Sequence, residues 1–446
     1  MSKNHSNQQV GEDRRDPYLM AEYKETPIGR IPEDWEVVRL GDLGTLTDGD
    51  WILKEDYTNE GVRLIQIGNV GVGTFLNKSR RFISPERAKQ LNCTFVDPEK
   101  DILISRMPDP IGRACLAPRL PYPYIVAVDI TILKVDNSKA DRNFIVYALN
   151  FEATLERVER LASGATRKRI SRRNLEKVLI PLPPLPEQRK IAEILSTVDK
   201  AIEKIDEAIA KTERLKKGLM QELLTKGIGH EEFKDTEIGR IPKEWEVVRL
   251  GDLAETITKG TTPTTYGFNF TESGVNFIKV ESIDEHGNFV WDNIAHISEE
   301  ANKVLSRSIL KEGDIVFSIA GALGRVAVVT KEVLPANTNQ ALAIIRLKKN
   351  VELAINYLKY YLAGPFIQKY IRTIAVQSAQ ANLSLTQVKN FLITLPPLSE
   401  QQKITEILST VDKKLELERK RKEKLERIKK GLMNDLLTGK RRVKPV

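Results

Sequence analysis

The segment "ASGATRKRISRRNLEK" crowds Arg167, Lys168, Arg169, Arg172 and Arg173 together, beside the hydroxyl of Thr166. Cations that close repel one another unless water or phosphate neutralises them, so the segment predicts contact with a polyanion. A later segment, "AVQSAQANLSLTQVKN", carries Gln377, Gln380, Asn382 and Gln387 where the first has charge. An arginine fork can take guanine, and an Asn or Gln amide can take adenine. The exchange fits two base readers of different preference, although each segment taken alone also fits a polar loop.

Further candidates lie where strand ends meet irregular text. In the first half these are Trp51 in "LTDGDWILKEDY", Arg80 and Arg81 in "KSRRF", and Arg106 and Arg113 in "SRMPDPIGR". In the second half they are Lys259, Thr261 and Thr262 in "TKGTTPTTY", Lys279 in "FIKVESI", Arg325 in "GRVAVV", and Asn337, Asn339 and Gln340 in "PANTNQ". Loops on a rigid scaffold commonly carry recognition. Trp35 and Trp245 differ from these, because both sit in repeated text and are expected to anchor packing.

Catalytic patterns are missing. No Walker loop, His-Glu-x-x-His or nucleophile elbow occurs, and "GNVGVGTFL" lacks the third glycine of a dinucleotide loop. His5, His230, His286 and His296 form no ligand spacing, so no metal site is expected. Asp101 and Asp314, at strand starts, are expected to shape turns. Cys93 and Cys115 are too few for a disulfide framework, which favours a reducing cytoplasm.

At 446 residues, 41% of them hydrophobic, the chain has the length for roughly two to four domains. Its 70 Lys and Arg against 61 Asp and Glu leave a net charge of +9, which suits a polyanionic partner. Residues 1–25 are polar and charged, neither signal peptide nor membrane span, and read as a flexible leader.

The elements that must position these residues come in two copies. "TPIGRIPEDWEVVRLGDL" at Thr26 returns as "TEIGRIPKEWEVVRLGDL" at Thr236, "LPPLPEQRKIAEILSTVDK" at Leu182 returns as "LPPLSEQQKITEILSTVDK" at Leu395, and "KKGLMQELLT" at Lys216 returns as "KKGLMNDLLT" at Lys429. Between these frames the text diverges but keeps β-branched strand runs, followed by helical stretches over Arg142–Ala162 and Val351–Ile374. Each variable domain is therefore mixed α/β. Ile191, Leu195, Val198, Ile202, Ile205 and Ile209 step by four and three, and Ile404, Leu408, Val411 and Leu415 repeat the register. That is a heptad seam, which predicts two long helices paired as an antiparallel coiled coil about a pseudo-two-fold axis. Packing of each helix on its own domain is the alternative. The forty residues from Glu187 to Lys226 would span about 60 Å as a helix.

The frame motifs "IGRIPEDWEVVRLGDL", "LPPLxEQxKIxEILSTVDK" and "KKGLMxxLLTxK" closely resemble the specificity subunit of type I restriction-modification systems. The likeness covers both domain entries and both long helices, in the family's order. It implies target-recognition domains at 26–186 and 228–399, each reading one half of a split, asymmetric double-stranded DNA target. It implies shared helices at 187–227 and 400–446 that set the gap and dock two methyltransferase subunits, with restriction subunits joining the full complex. S-adenosylmethionine, ATP and Mg are then expected on the partners, and no cofactor on this chain. Consistent with that division, neither an Asn-Pro-Pro-Tyr/Phe motif for a flipped adenine nor a Phe-x-Gly-x-Gly cofactor loop occurs here. A single-chain methyltransferase or nuclease would need such motifs. A coiled-coil scaffold for two proteins would lack salt-sensitive binding to random duplex DNA.

Overall fold

The structure, a computed structural model, describes residues 22–165, 167–377 and 382–444. The chain divides into two compact units, one of residues 1–205 with 421–446 and one of residues 206–420.

The first unit opens on a hairpin, Tyr23–Thr26 against Gly29–Pro32. Tyr23 to Glu25, within the stretch expected as a flexible leader, thus lie in a strand, and residues 1–21 of that stretch lie outside the described residues. Tyr23 donates to the Gly439 carbonyl at 3.0 Å, and the Arg30 guanidinium lies over its ring, so this stretch is fastened. Strand β1 (Glu36–Arg39), in the repeated entry text, pairs antiparallel with β7 (Leu179–Leu182), the last strand of the unit. Between them an antiparallel sheet runs in the order β2 (Gly44–Asp48), β6 (Ile130–Val135), β4 (Asp101–Ser105), β5 (Ala114–Leu116). A second sheet centres on β3 (Val62–Ile65), which pairs parallel with Tyr124–Val126.

Helices α1 (Arg142–Leu149) and α2 (Glu152–Leu161) pack Phe144, Ile145, Leu149 and Val158 on Ile102, Ile104 and Leu133. One helical stretch was expected here; Asn150 divides it. Its buried side chain accepts from the Ala114 amide at 3.0 Å and donates to the Ala114 and Val146 carbonyls, both at 2.8 Å, taking bonds that a continuous helix could not provide.

The second unit repeats the plan. β8 (Glu246–Arg249) pairs with β14 (Leu392–Leu395), and the main sheet runs β9 (Ala254–Lys259), β13 (Leu342–Leu347), β11 (Ile315–Ser318), β12 (Val326–Val328). β10 (Val275–Ile278) stands in the place of β3, and α4 (Ile355–Leu362) and α5 (Pro365–Gln377) follow β13, broken at Ala363–Gly364. Asp101 and Asp314 do shape turns, accepting from the amides of Asp97 and Lys311.

The long helices are α3 (Leu185–Lys226) and α6 (Leu398–Leu437). Each starts two residues ahead of the expected glutamate. Pro186 does not prevent this, because the first helical turn needs no intrahelical N–H. Of the expected seam, Ile191 and Leu195 on α3 join the core of the first unit and Ile404 and Leu408 on α6 that of the second, so these stretches pack on their own domains, while Ile205 and Leu415 are buried farther along.

Within each unit the two helices run antiparallel. In the first, Lys429 meets Asp199 at 2.6 Å; in the second, Lys216 meets Asp412 at 2.5 Å and Arg419 meets Glu213 at 2.7 Å. Tyr147 and Tyr360 each donate to the aspartate of their unit at 2.7 Å. "STVDK" of one repeat thus meets "KKGLM" of the other, in both directions. Likewise Leu436 and Leu437 complete the core around Trp35, and Leu223 and Leu224 the core around Trp245. The repeated words are the two sides of one joint, used twice.

Both tryptophans are fully buried. Trp35 Nε1 donates to Glu187 at 3.1 Å and Trp245 Nε1 to Glu400 at 2.9 Å, tying each entry text to the first turn of a long helix. Arg442 grips Glu187 at 2.8 and 2.9 Å and also Asp34, whereas His230 stands 2.9 Å from Glu400. The helices end on Gly227 and Gly439, with φ of +68° and +70°. A side chain at either would meet strain and the neighbouring Trp. Both cysteines are free, and no helix of the described residues is long and apolar enough to cross a membrane.

Candidate nucleic-acid interface

Strand ends gather the candidate residues at one edge of each main sheet. In the first unit the Gly49 amide donates to the Ile130 carbonyl, Arg106 to Asp129, and Ile170 to Arg106, at 2.9, 2.9 and 3.0 Å. These bonds bring together the turn after β2, the loop after β4, the start of β6 and the basic segment. In the second unit Gly260 donates to Asn339, Ile319 to Ala341, and Leu383 to Ile319, at 3.1, 2.8 and 2.8 Å. The backbone is the same; the side chains are not.

At the first edge the cations are held by acids of the same unit. Asp48 lies 3.2 Å from Arg106 and 3.6 Å from Arg172, Asp129 lies 2.9 Å from Arg169, and Glu159 pairs with Lys168. Arg172 also donates to the Leu46 carbonyl at 3.0 Å. Arg167 is exposed and forms no ion pair among the described residues, as are Arg80 and Arg173. The expected block of unneutralised charge is therefore an ion-pair network with a few free members. Asp48 and Asp129 were missed in the sequence because their partners lie far along the chain, and only the strand register brings them together.

At the first edge Arg106 and Arg113 are buried and hold the fold instead. Arg113 spends its guanidinium on the carbonyls of Val70, Met107, Pro110 and Ile67 at 2.7–3.2 Å, which fixes the loop after β4 against the turn after β3. Burial lowers the pKa of both Arg113 and Arg106, with Asp48 opposing the shift at Arg106. Arg325 is the counterpart of Arg113, donating to Val280 and Ile283 at 3.1 and 2.6 Å. Both arginines hold the equivalent loop from inside, so direct base contact by Arg106, Arg113 or Arg325 does not fit this geometry.

Trp51 is 69% exposed and flanks a cleft of about 300 Å³ with Leu53, Tyr57 and Gln66. Arg81 stacks over the Tyr57 ring at 4.8 Å. Asp50, on the cleft wall, has its carboxyl pKa raised by burial, against the Thr94 amide and the Cys93 thiol.

At the second edge Lys259 is exposed, Thr262 donates to Gln340 at 2.8 Å, and Thr261 accepts from Arg307 at 3.3 Å. Arg307 was not among the expected residues, since a single arginine in "SRS" gives no local signal. Lys279 pairs with Glu281 at 2.8 Å and lies over the Phe270 ring. Asn337 is buried and bonds Asn302 and the Leu305 carbonyl, a structural place, while Asn339 caps its own turn through the Ala341 amide. Asn382 is exposed next to Leu383. Gln377 ends α5, and its side chain, like Thr166 and Gln380, lies outside the described residues.

The register sharpens the contrast. Asp48 faces Thr131 across β2 and β6, and Lys259 faces Ala343, the equivalent residue, across β9 and β13. One position thus carries opposite charges in the two units.

Two copies of one α/β domain, with unlike polar edges on a common frame, are the build of a bipartite DNA-specificity protein. The type I restriction modification DNA specificity domain matches residues 32–213 and again 242–427, and the chain belongs to that family. It is 30% identical over 435 residues to the type I restriction enzyme MjaVIII specificity subunit of Methanocaldococcus jannaschii, covering 96% of this chain and 97% of that one. Among solved structures it is similar in fold to a type I restriction-modification S subunit from M. genitalium, with a TM-score of 0.53, 20% identity, and coverage of 90% and 96%. A chain from a structure on assembly and conformational transition of a type I restriction-modification system gives a TM-score of 0.57 at 19% identity, over 92% of this chain and 99% of that one.

Proposed function

We propose that this chain is the non-catalytic specificity subunit of a cytoplasmic type I restriction-modification complex, each unit reading one half of a split, asymmetric duplex target. The observation that carries this is the pair of unlike edges, Asp48–Arg172 with Asp129–Arg169 in one unit and Lys259 with Thr262–Gln340 in the other, on matching sheet positions. Unlike side chains on one backbone are what two different half-sites require. Exposed Arg80, Arg167 and Arg173 are free for phosphate, and Trp51 and Asn382 for sugar or base edges. The paired helices α3 and α6 set the gap and dock two methyltransferase subunits, and restriction subunits complete the assembly. S-adenosylmethionine, ATP and Mg act on those partners, and this chain takes no cofactor of its own.

The test is co-expression with the modification subunit of its own system in a host free of adenine methylation, with modified adenines mapped genome-wide. Two short words around a fixed gap are expected. Absence of modified adenine, although the partner folds and binds S-adenosylmethionine, would overturn the assignment.

A further inference from the structure

The second unit contains a cavity of about 380 Å³ between the middle of the molecule's repeated helix text and the hairpin loops of its variable domain, with a wall of mixed apolar and charged side chains. Lys216, Met220, Lys359, Tyr360, Arg325 and His286 contribute to its wall. Lys359 is the anomaly. It sits on α4, half-buried, and its ammonium makes no hydrogen bond or ion pair among the described residues. Desolvation pushes its pKa down, Lys216 adds to that, and Asp412 and Asp284 oppose it.

The nearby acids are engaged elsewhere. Asp412 is taken by Lys216 at 2.5 Å and Tyr360 at 2.7 Å, and Asp284 by the amides of His286 and Asn288, both at 2.8 Å, and by the Asn288 side chain at 3.1 Å. Glu285 is 81% exposed and stands 3.4 Å from His286. Arg325 brings a third cation whose donors hold Val280 and Ile283. The wall therefore presents more positive charge than its carboxylates contact.

The repeat shows that the frame does not need this. The aspartate, tyrosine and lysine recur in the first unit as Asp199, Tyr147 and Lys429, yet the counterpart of Lys359 there is Val146, which is buried and apolar. One helix thus buries methyl groups where its sister desolvates an ammonium. A partly desolvated charge left unpaired has lost hydration without gaining a partner, and a ligand of opposite charge supplies one.

We propose that this cavity is a phosphate-binding site, with Lys359 meeting the phosphate and Lys216 as the second cation of its wall. The phosphate belongs either to a small phosphorylated compound or to the DNA backbone, and only the second source rests on the DNA-reading role proposed above. A phosphate oxygen accepts from both ammonium groups as a charge-assisted hydrogen bond.

Calorimetric titration of the full chain with inorganic pyrophosphate tests the site, using K359M, which keeps length and loses charge, and K359R, which keeps charge. Saturable binding by the native chain is expected, weakened at least about tenfold in K359M and retained in K359R, since one lost charge-assisted contact is of that order. K359M should fold, because a thioether suits a desolvated position better than an unpaired ammonium, and K359R covers the case in which it does not.

The salt dependence of binding to random duplex DNA then separates the two sources. A slope smaller by about one in K359M assigns a DNA phosphate, with or without pyrophosphate binding, whereas an unchanged slope with pyrophosphate binding assigns a small phosphorylated compound. Equal pyrophosphate affinity in the native chain and K359M, or no binding together with an unchanged slope, overturns the site. Failure of the DNA-reading role would show separately, as native chain that does not bind duplex DNA in a salt-dependent way.

Discussion

The first reading edge and the second share a backbone and oppose each other in charge logic. At the first, Arg106, Arg169 and Arg172 are held by Asp48 and Asp129; at the second, the places of Asp48 and Arg106 are taken by exposed Lys259 and buried Ile319. An arginine fork held by a carboxylate yet still part-exposed, as in Arg169 and Arg172, is oriented before it meets a base, and loses less side-chain freedom on binding than a free one. A lone surface lysine offers charge with little geometry. Under the proposed function, the first unit is built for orientation at this position and the second for attraction, with the exposed amides of Gln340 and Asn382 left to discriminate. The frame shows a parallel contrast, since the carboxylate of Glu187 is gripped by a permanently charged arginine and that of Glu400 by a histidine.

The largest expected effect breaks the frame comparison. Glu187→Ala leaves the buried Trp35 N–H without its acceptor and Arg442 with one carboxylate fewer, Asp34 remaining, and should cost the first unit about 2–4 kcal/mol. Glu400→Ala takes the shared acceptor from the Trp245 N–H, the Ile228 amide and the His230 ring but breaks no arginine pair, so its cost to the second unit should be nearer about 1–3 kcal/mol. Denaturant unfolding reads both. Labelling of Cys115, whose buried thiol pKa is pushed up to about 12, reports the first unit alone. Equal costs would show that the arginine and the histidine serve the carboxylate alike.

Next, Asp48→Lys installs the second unit's residue among the first unit's arginines and should destabilise by about 2–3 kcal/mol through unpaired like charge. Asp48→Lys with Arg106→Ile, which completes the transplant, should recover most of that loss in a double-mutant cycle of unfolding midpoints. No recovery would mean that the two edges differ by more than this pair.

Arg167→Ala with Arg169→Ala should then weaken only the half-site read by the first unit, by about 1–2 kcal/mol, in binding to targets altered in one half at a time. Equal loss on both halves would assign the cluster to phosphate or folding. Smallest, Tyr147→Phe and Tyr360→Phe should each cost about 1 kcal/mol in unfolding free energy, because each removes one hydrogen bond to an equivalent aspartate. A difference between the two would point to Lys359, which stands next to Tyr360 alone.

The frame was legible in the sequence because repetition and heptad spacing are local signals. Both long helices, both Trp anchors and the α/β character of the variable domains follow from them. The reading edges were legible only as regions. Side-chain type marks Arg106, Arg113, Arg325 and Asn337 as readers but says nothing of direction. Each turns inward to carbonyls or carboxylates that the fold alone supplies. The network of Asp48 and Asp129 depends on strand register, and the break at Asn150 on a bond to Ala114 in a distant strand. No window along the chain contains either pair of partners.

The joint in which "STVDK" of one repeat meets "KKGLM" of the other has a consequence for the gene. Each copy supplies both halves of the contact, so neither half is private to one domain. A crossover within the repeated text would carry the intervening variable domain as a cassette and leave Asp199–Lys429 and Lys216–Asp412 as complementary as before. Half of the recognition could then change in a single recombination event, without any compensating mutation in the scaffold.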